Sequence, residues 1–391
     1  MCRRRDGLKD AIEPNRQGGG NMWIKTKAMD ERTIIQRLHL DLPLLTGIIL
    51  LCLIGTVVLY SAGSQDIGLI YRQLLRVGVA LILLLICAQL SPPKLARWSL
   101  GIYLTGLLLL ALVLVFGDVG KGAQRWLDLG LFRFQPSELM KIALPMVLAW
   151  LFSEKPLPPS FFRIVISCVM IILPVVLIVK QPDLGTSLLV AAAGFSILFV
   201  AGINWKLIVG FVGFAALSTP VLWYFMHDYQ RQRILTFLNP EQDPLGAGYH
   251  IIQSKIAIGS GGIYGKGWLN GTQSHLEFLP ERSTDFIFSV FSEEFGFMGV
   301  LLIVFLYLFV IARGLQISMN AQQTYGKLLG SGLVFTFFVY IFVNMGMVTG
   351  QLPVVGVPLP LISMGGTSMV TLMAGFGILM AIQSHRRLLS E

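Results

Sequence analysis

The sequence is poor in charged residues. Asp, Glu, Lys and Arg make up 13% of the 391 residues, whereas a soluble globular domain carries about 25%. Hydrophobic residues account for 54% of the chain, and the mean hydropathy is +0.72. Because so few charges cannot cover a water-exposed surface, the composition excludes a soluble globular protein.

Cysteine is also scarce. Cys2 lies in a polar segment, and Cys52, Cys87 and Cys168 lie in apolar ones. No Cys-x-x-Cys spacing occurs, and the five histidines show no metal-ligand spacing, so neither a disulfide framework nor a His/Cys metal site is predicted.

The first forty residues lack the apolar run and cleavage site of a signal peptide. We expect residues 1–38 to form a disordered cytoplasmic leader.

Other absences exclude further classes of protein. The net charge is +9, but no basic cluster is interleaved with aromatic residues, so no nucleic-acid partner is expected. No internal repeat is visible, which removes support for an inverted-repeat transporter. No Ser, His and Asp pattern indicates a hydrolase triad.

Long apolar stretches predict an all-α polytopic integral membrane protein with about ten transmembrane helices. A helix needs about 20 apolar residues to cross the hydrocarbon core. The membrane domain is expected to cover residues 39–391, with a large outer loop at about 226–285 between the seventh and eighth spans. The predicted spans are 42–62, 73–90, 99–116, 136–152, 164–179, 184–201, 207–225, 286–312, 328–349 and 368–384.

The charges predict the orientation. With the N-terminus inside, 18 of the 30 Lys and Arg fall in cytoplasmic segments, as the positive-inside rule requires. Ten spans return the C-terminus to the cytoplasm. In contrast, 13 of the 21 Asp and Glu lie in outer loops or at the outer ends of spans. This distribution predicts a polar site that faces the outside.

Two candidate sites lie at the start of the fourth span and in the loop before it. Glu138 and Lys141 are three residues apart and share a helix face. They form either a structural ion pair or a site where Lys141 meets an anionic substrate. Arg125, beside Trp126 and near Lys121, suits an anion or simply belongs to an interfacial belt.

Two aspartates lie at predicted helix starts. Asp183 and Asp285 could each be a helix cap. Asp285 also follows Glu281 and precedes Glu293 and Glu294, which is a dense group of acids for a membrane boundary. A partly dehydrated carboxylate there could act as a general base.

Three sequence runs resemble the SEDS family (shape, elongation, division, sporulation), and within it the rod-shape branch rather than the division branch. The similarity extends from about residue 35 to the C-terminus. The runs are Gln181-Pro-Asp-Leu-Gly-Thr-Ser187, Gly271-Thr-Gln-Ser-His-Leu-Glu-Phe-Leu-Pro-Glu-Arg-Ser-Thr-Asp-Phe-Ile-Phe288 and Leu352-Pro-Val-Val-Gly-Val-Pro-Leu-Pro-Leu-Ile-Ser-Met-Gly-Gly366.

The resemblance implies a peptidoglycan glycosyltransferase that polymerises lipid II at the outer face of the bacterial cytoplasmic membrane. The essential aspartate of the family corresponds to Asp285, which would be the catalytic base. The substrate-binding residues of the family correspond to Glu138, Lys141, Arg125, Asp183 and Ser363. Two positions depart from the family pattern: Ser283 replaces the expected His, and Met364 replaces the expected Tyr.

The resemblance also implies partners and a reaction. The partners are a class B penicillin-binding protein, elongation-complex proteins such as MreC, lipid II and membrane lipid. The acceptor C4 hydroxyl would attack the donor's anomeric carbon in one displacement, with undecaprenyl pyrophosphate leaving. Arg125 and Lys141 would stabilise the leaving group, with Lys121 or Arg282 as helpers. A divalent cation, Mg²⁺ or Mn²⁺, could bridge carboxylate and pyrophosphate.

Two other functions fit the residues. A lipid II flippase would also have about ten spans with buried charges, but it should carry polar residues along a path through the membrane. A scaffold that recruits the cross-linking enzyme would tolerate loss of Asp285.

Overall fold

The computed structural model describes residues 39–120, 123–128, 133–226, 228–242, 246–275 and 281–385. The predicted leader 1–38 and Lys121 lie outside these residues. Long helices dominate the described chain. In chain order they are α1 (Leu42–Ala62), α2 (Ile67–Ala88), α3 (Pro92–Phe116), α4 (Pro136–Ser153), α5 (Phe161–Lys180), α6 (Leu184–Val200), α7 (Trp205–Phe225), α8 (Asp228–Leu238), α9 (Ala247–Ser260), α10 (Thr272–His275), α11 (Ile287–Met319), α12 (Thr324–Val348) and α13 (Thr367–Ser384).

A helix occupies each predicted span. Within the described residues, α1, α2, α3, α5, α11, α12 and α13 are long and apolar enough to cross a membrane. Helix α6 and the first part of α7 are apolar but shorter, and α4 carries two charges near its start. The prediction of an all-helical polytopic membrane protein is confirmed. The number of spans and the sidedness stay predictions.

Polar residues begin several of these helices. The carboxylate of Asp41 accepts a hydrogen bond from the backbone N–H of Leu44 at 3.0 Å, which satisfies a free donor in the first turn of α1. The same carboxylate accepts from Arg313 of α11 at 2.6 Å. One buried aspartate therefore caps α1 and joins it to α11.

The centre of the bundle is formed by α12 with α4 and α6. Helix α12 packs against α4, α6 and α11, while α2 packs mainly against α13. In their most apolar windows 67% of α12 is buried, compared with 17% of α2. Polar side chains on α4 and α12 are consequently enclosed by protein rather than by lipid.

A small antiparallel sheet between α3 and α4 was not predicted. Its strands β1 (Asp118–Gly120), β2 (Ala123–Asp128) and β3 (Arg133–Phe134) pair in that order. The strands are too short to produce a readable alternation of polar and apolar residues. The sheet carries Arg125 toward the start of α6.

Helix α9 ends at Ser260, and the glycine-rich residues 261–267 that follow it form turns. These turns fill a break in α11 at Gly296, whose φ is 63°. The backbone N–H groups of Phe297 and Met298 donate to the carbonyls of Gly262 and Ile263 at 2.9 and 3.1 Å. The break also leaves carbonyls of α11 without helical N–H donors, and N–H groups of the turn donate to them instead.

The carbonyls just before the break accept hydrogen bonds from the end of the turn. The N–H groups of Lys266 and Gly267 donate to the carbonyls of Glu293 and Glu294 at 3.0 and 2.9 Å. Four hydrogen bonds thus join the turn to both sides of the break in α11 and give partners to backbone groups that a continuous helix would have paired.

The segment 352–366, which we call the proline loop, runs inside the bundle between α12 and α13. A Cβ built on Gly55 would lie only 2.6 Å from the Cα of Ile362. Gly55 precedes the end of α1 by seven residues, about 10 Å of helix. Non-helical backbone at such depth is tolerated where protein covers it, and the proline loop meets that condition.

Candidate active site

Lys141 and Glu138 form a buried ion pair in the first turns of α4. Pro136 occupies a first-turn position of the helix, where its lack of an N–H has no cost. Lys141 Nζ lies 2.6 Å from Glu138 Oε1, and the two residues are 4% and 5% exposed. Lys141 also donates to the hydroxyl of Tyr340 on α12. Lys141 is thus held by both Glu138 and Tyr340.

Asp183 is a second buried carboxylate with several donors around it. It caps α6 by accepting from the N–H of Thr186 at 3.2 Å, and it accepts from Gln135 Nε2 at 3.0 Å. Arg125 Nη1 lies 3.8 Å away, and Arg125 also donates to the carbonyl of Pro182. The capping role proposed for Asp183 is confirmed, and the residue also joins the sheet to α6.

Asp285 lies in the turn before α11, next to the proline loop. It is not the helix cap, because the cap position belongs to Phe286. A Cβ built on Gly356 would lie 3.5 Å from Asp285 Oδ2. Ser363 Oγ donates to the carbonyl of Thr284 at 2.6 Å and accepts from the N–H of Leu359 at 2.7 Å. Ser363 therefore ties the proline loop to the residue before Asp285.

Asn344 on α12 holds the other side of Asp285. Its side-chain Nδ2 donates to the carbonyl of Asp285 at 2.9 Å and to the carbonyl of Val357 at 2.7 Å. Two carbonyl partners determine the amide orientation, because the flipped amide would place its oxygen against both of them. Asn344 is fully buried, so it fixes the turn and the proline loop together.

The proline loop also approaches the other carboxylates. Val355 packs against Gly185 just after Asp183, and Val357 shares an apolar cluster with Tyr340. The structure thus brings Glu138, Lys141, Arg125, Asp183, Ser363 and Asp285 around one loop and the C-terminal half of α12. Arg282 donates to Ser64 Oγ at 2.8 Å on the exposed side of the turn.

Sequence reasoning missed Tyr340, Asn344 and Gln135. A polar amide within an otherwise apolar span was a usable signal for Asn344. Tyr340 gave no such signal, because a tyrosine within a span is usually a core residue. Its role depends on a contact between α4 and α12 that no local pattern encodes.

The space around Lys141 and Tyr340 is closed in this structure. The cavity beside Lys141 and Tyr340 has a volume of about 30 Å³, and a second one between Tyr340 and Ser363 has about 10 Å³. Such volumes admit one or two water molecules and no sugar. Contact between Lys141 and a substrate therefore requires α12 or the proline loop to move away from α4.

The described residues do not form a complete metal site. Among them, no three His, Cys, Asp or Glu side chains converge as metal ligands. Glu138 is paired with Lys141, although its Oε2 atom is buried without a hydrogen-bond partner in the described part of the chain. A divalent cation would need ligands from the substrate.

A family model described as a cell cycle protein, covering FtsW, RodA and SpoVE, matches residues 40–388. The chain belongs to this family. This finding confirms the SEDS resemblance carried by the three sequence runs.

Family relatives are similar along almost their whole length. Peptidoglycan glycosyltransferase MrdB of Escherichia coli K12 is 51% identical over 363 residues, which cover 93% of this chain and 98% of the relative. Stage V sporulation protein E of Bacillus subtilis is 35% identical, with 89% and 98% covered.

Solved structures of family members share the fold. The chain matches one from a peptidoglycan synthase complex that coordinates polymerization and crosslinking, with a TM-score of 0.78, 33% identity and coverage of 88% and 98%. It matches Thermus thermophilus RodA with a TM-score of 0.68, 30% identity and coverage of 89% and 97%.

Proposed function

We propose that this chain polymerises lipid II into glycan strands during cell elongation, with Asp285 as the general base. The chain is a peptidoglycan glycosyltransferase, the activity for which its relatives from several bacteria are named. The observation that supports lipid II polymerisation with Asp285 as the base is the convergence of the predicted residues on the proline loop. Residues from five separate sequence segments meet there.

The reaction needs a base beside the acceptor hydroxyl. Asp285 would take the proton as the acceptor C4 hydroxyl attacks the donor's anomeric carbon, which inverts the donor linkage in one step. Such a base contributes about 10²–10⁴-fold to a rate. The carbonyls of Thr284 and Asp285 are both anchored, so the backbone that carries the carboxylate is pre-positioned for this role.

The leaving group needs positive charge. Undecaprenyl pyrophosphate gains negative charge as the glycosidic bond breaks, and fixed cations stabilise that change most effectively in a site without bulk water. Arg125 and Lys141 are the proposed cations. In this structure Lys141 is neutralised by Glu138 on the same helix, so its ammonium would have to turn from Glu138 toward the pyrophosphate.

An apolar groove is available for an isoprenoid tail. It has a volume of about 710 Å³ and lies between α6, α7 and α12. Its lining is rich in phenylalanine: Phe195, Phe199, Phe211, Phe335, Phe338 and Phe342. Long apolar chains are bound by such aromatic walls without polar contacts.

The proposed setting is the bacterial cytoplasmic membrane, with both termini in the cytoplasm, ten spans and the site outside. Residues 1–38 are the proposed leader and 39–391 the membrane domain. The proposed partners are a class B penicillin-binding protein and elongation proteins such as MreC. The first is supported by the fold shared with a chain of a synthase complex.

The test is polymerisation of purified lipid II by the chain together with its cognate penicillin-binding protein. We expect glycan strands to appear on a gel in a time-dependent manner. Translocation of lipid II across vesicles without strand formation would support the flippase instead. Strand formation only through the partner would support the scaffold.

A further inference from the structure

Arg76 is a cation well inside an apolar helix. It lies nine residues after Ile67, the first residue of α2, about 14 Å along the helix axis. Helix α2 has 22 residues and a mean hydropathy of 2.0 in its most apolar window. Charged residues within an apolar spanning helix are costly and are found paired or beside a ligand or ion pathway.

Within the described residues Arg76 has no hydrogen bond and no ion pair. Arg72, one turn earlier, differs in this respect: it lies 3.7 Å from Asp66 and donates to the carbonyl of Gly68 at 3.2 Å. Arg76 is only partly buried, so its guanidinium donors remain available to a molecule from the membrane.

A second set of donors lies beside Arg76. Its Nε is 3.9 Å from the position of a Cβ built on Gly366, the cap residue of α13. No side chain caps this helix, so the N–H groups of its first turn add to the positive potential there. Gly366 ends the proline loop, so the loop places this helix start beside Arg76.

The surroundings of Arg76 point to a lipid-borne ligand. Tyr71, Leu74 and Leu75 on α2 are more than half exposed, so this side of the helix faces the bilayer. On the other side, Gly366 follows Ser363 by three residues, and Ser363 binds the carbonyl of Thr284. The position therefore joins the lipid-facing surface to the segment that carries Asp285.

We propose that Arg76 and the N-terminus of α13 bind the pyrophosphate of the isoprenoid-linked substrate as it enters from the outer leaflet. This rests on the proposed function and deepens it. A bulk phospholipid offers the same phosphate chemistry. The substrate is favoured because the donors lie next to the proline loop rather than at an isolated point on the surface.

The test compares Arg76→Leu, Arg76→Lys and the control Arg72→Leu. Each variant is reconstituted with its penicillin-binding partner in nanodiscs of either phosphatidylcholine or phosphatidylglycerol, and lipid II polymerisation is measured. Loss of a charge-assisted contact should raise the KM of Arg76→Leu by about tenfold or more in both lipids, with little change in kcat. Arg76→Lys should show a smaller rise, and Arg72→Leu none.

Two results would overturn the proposal. One is an unchanged KM for Arg76→Leu in both lipids. The other is a change confined to phosphatidylglycerol, which would assign Arg76 to anionic phospholipid. Thermal unfolding of each purified variant identifies any that fail to fold. If Arg76→Leu fails to fold, the KM of Arg76→Lys decides whether the proposal stands.

A binding measurement separates this proposal from the proposed function. If the wild type forms no glycan strands, the proposed function fails, but the affinity for undecaprenyl pyrophosphate can still be titrated by intrinsic fluorescence. We expect Arg76→Leu to lose about tenfold in this affinity. Equal affinity in the wild type and Arg76→Leu would contradict the role of Arg76.

Discussion

Lys141 and Glu138 form an ion pair that is almost fully shielded from solvent. Removing one partner of such a pair costs about 3–5 kcal/mol of stability, because the other charge is left buried alone. A structural role and a catalytic role therefore predict different behaviour for single and double variants.

We predict that Lys141→Met and Glu138→Gln each lower the thermal unfolding midpoint, while the double variant regains most of it. None of the three should polymerise lipid II at the wild-type rate. Differential scanning fluorimetry in detergent measures the first effect and the gel assay the second. Wild-type polymerisation by a stable double variant would show that the pair is structural only.

Asn344 permits a sharper test of how Asp285 is held. Replacement by Leu keeps the side-chain volume but removes both donors from the carbonyls of Asp285 and Val357. We predict a fall in kcat of about tenfold or more with a small change in KM, since a misplaced base affects the chemical step.

Tyr325→Phe is the matched control for Asn344→Leu. Tyr325 lies at the other end of α12 and shares a buried hydrogen bond with Ser99 at 3.1 Å. Its loss should lower stability without a selective effect on kcat. Equal loss of kcat in both variants would assign Asn344 to general stability.

Among the elements, the glycine-rich turn and the break in α11 depend on each other. Gly265 has a φ of +79°, and a Cβ there would lie 2.1 Å from the carbonyl oxygen of Glu294. We predict that Gly265→Ala destabilises the protein by about 1–3 kcal/mol and reduces activity, measured by thermal unfolding and polymerisation.

Gly259→Ala is the control for the turn. Gly259 lies in the last turns of α9, and nothing stands within 4 Å of its Cβ position. Alanine is favoured over glycine in a helix by about 0.5–1 kcal/mol, so this variant should be neutral or slightly stabilised. A similar loss in both variants would contradict the account of the turn.

The elements that sequence reasoning could predict are those with a local signal. Apolar runs of about 20 residues located the helices, and the spacing of Glu138 and Lys141 placed them on one face. The sheet around Arg125, the break at Gly296 and the contacts of Tyr340 and Asn344 had no such signal, because each depends on segments that are distant in sequence.

For the whole molecule, the orientation of the helices decides which face carries the site. The distribution of Lys and Arg predicts that both termini are cytoplasmic and that the loop 226–285 is outside. Single cysteines at Ser64 and Ser384, in a variant lacking the native cysteines, test this. We expect an impermeant maleimide to label position 64 in intact cells and position 384 only after lysis.

The opposite labelling pattern would place the site in the cytoplasm. It would contradict polymerisation on the outer face and also the entry of substrate past Arg76 from the outer leaflet. Labelling of both positions in intact cells would contradict an odd number of spans between them.

The most direct test of the central claim is lipid II polymerisation by the wild type and by Asp285→Asn, each with its penicillin-binding partner. Asn keeps the size and polarity of the side chain but cannot accept the proton at neutral pH. We predict glycan strands from the wild type and a rate at least about 100-fold lower from the folded variant. Strands at the same rate from both would contradict Asp285 as the base, and none from a folded wild-type complex would contradict polymerisation itself.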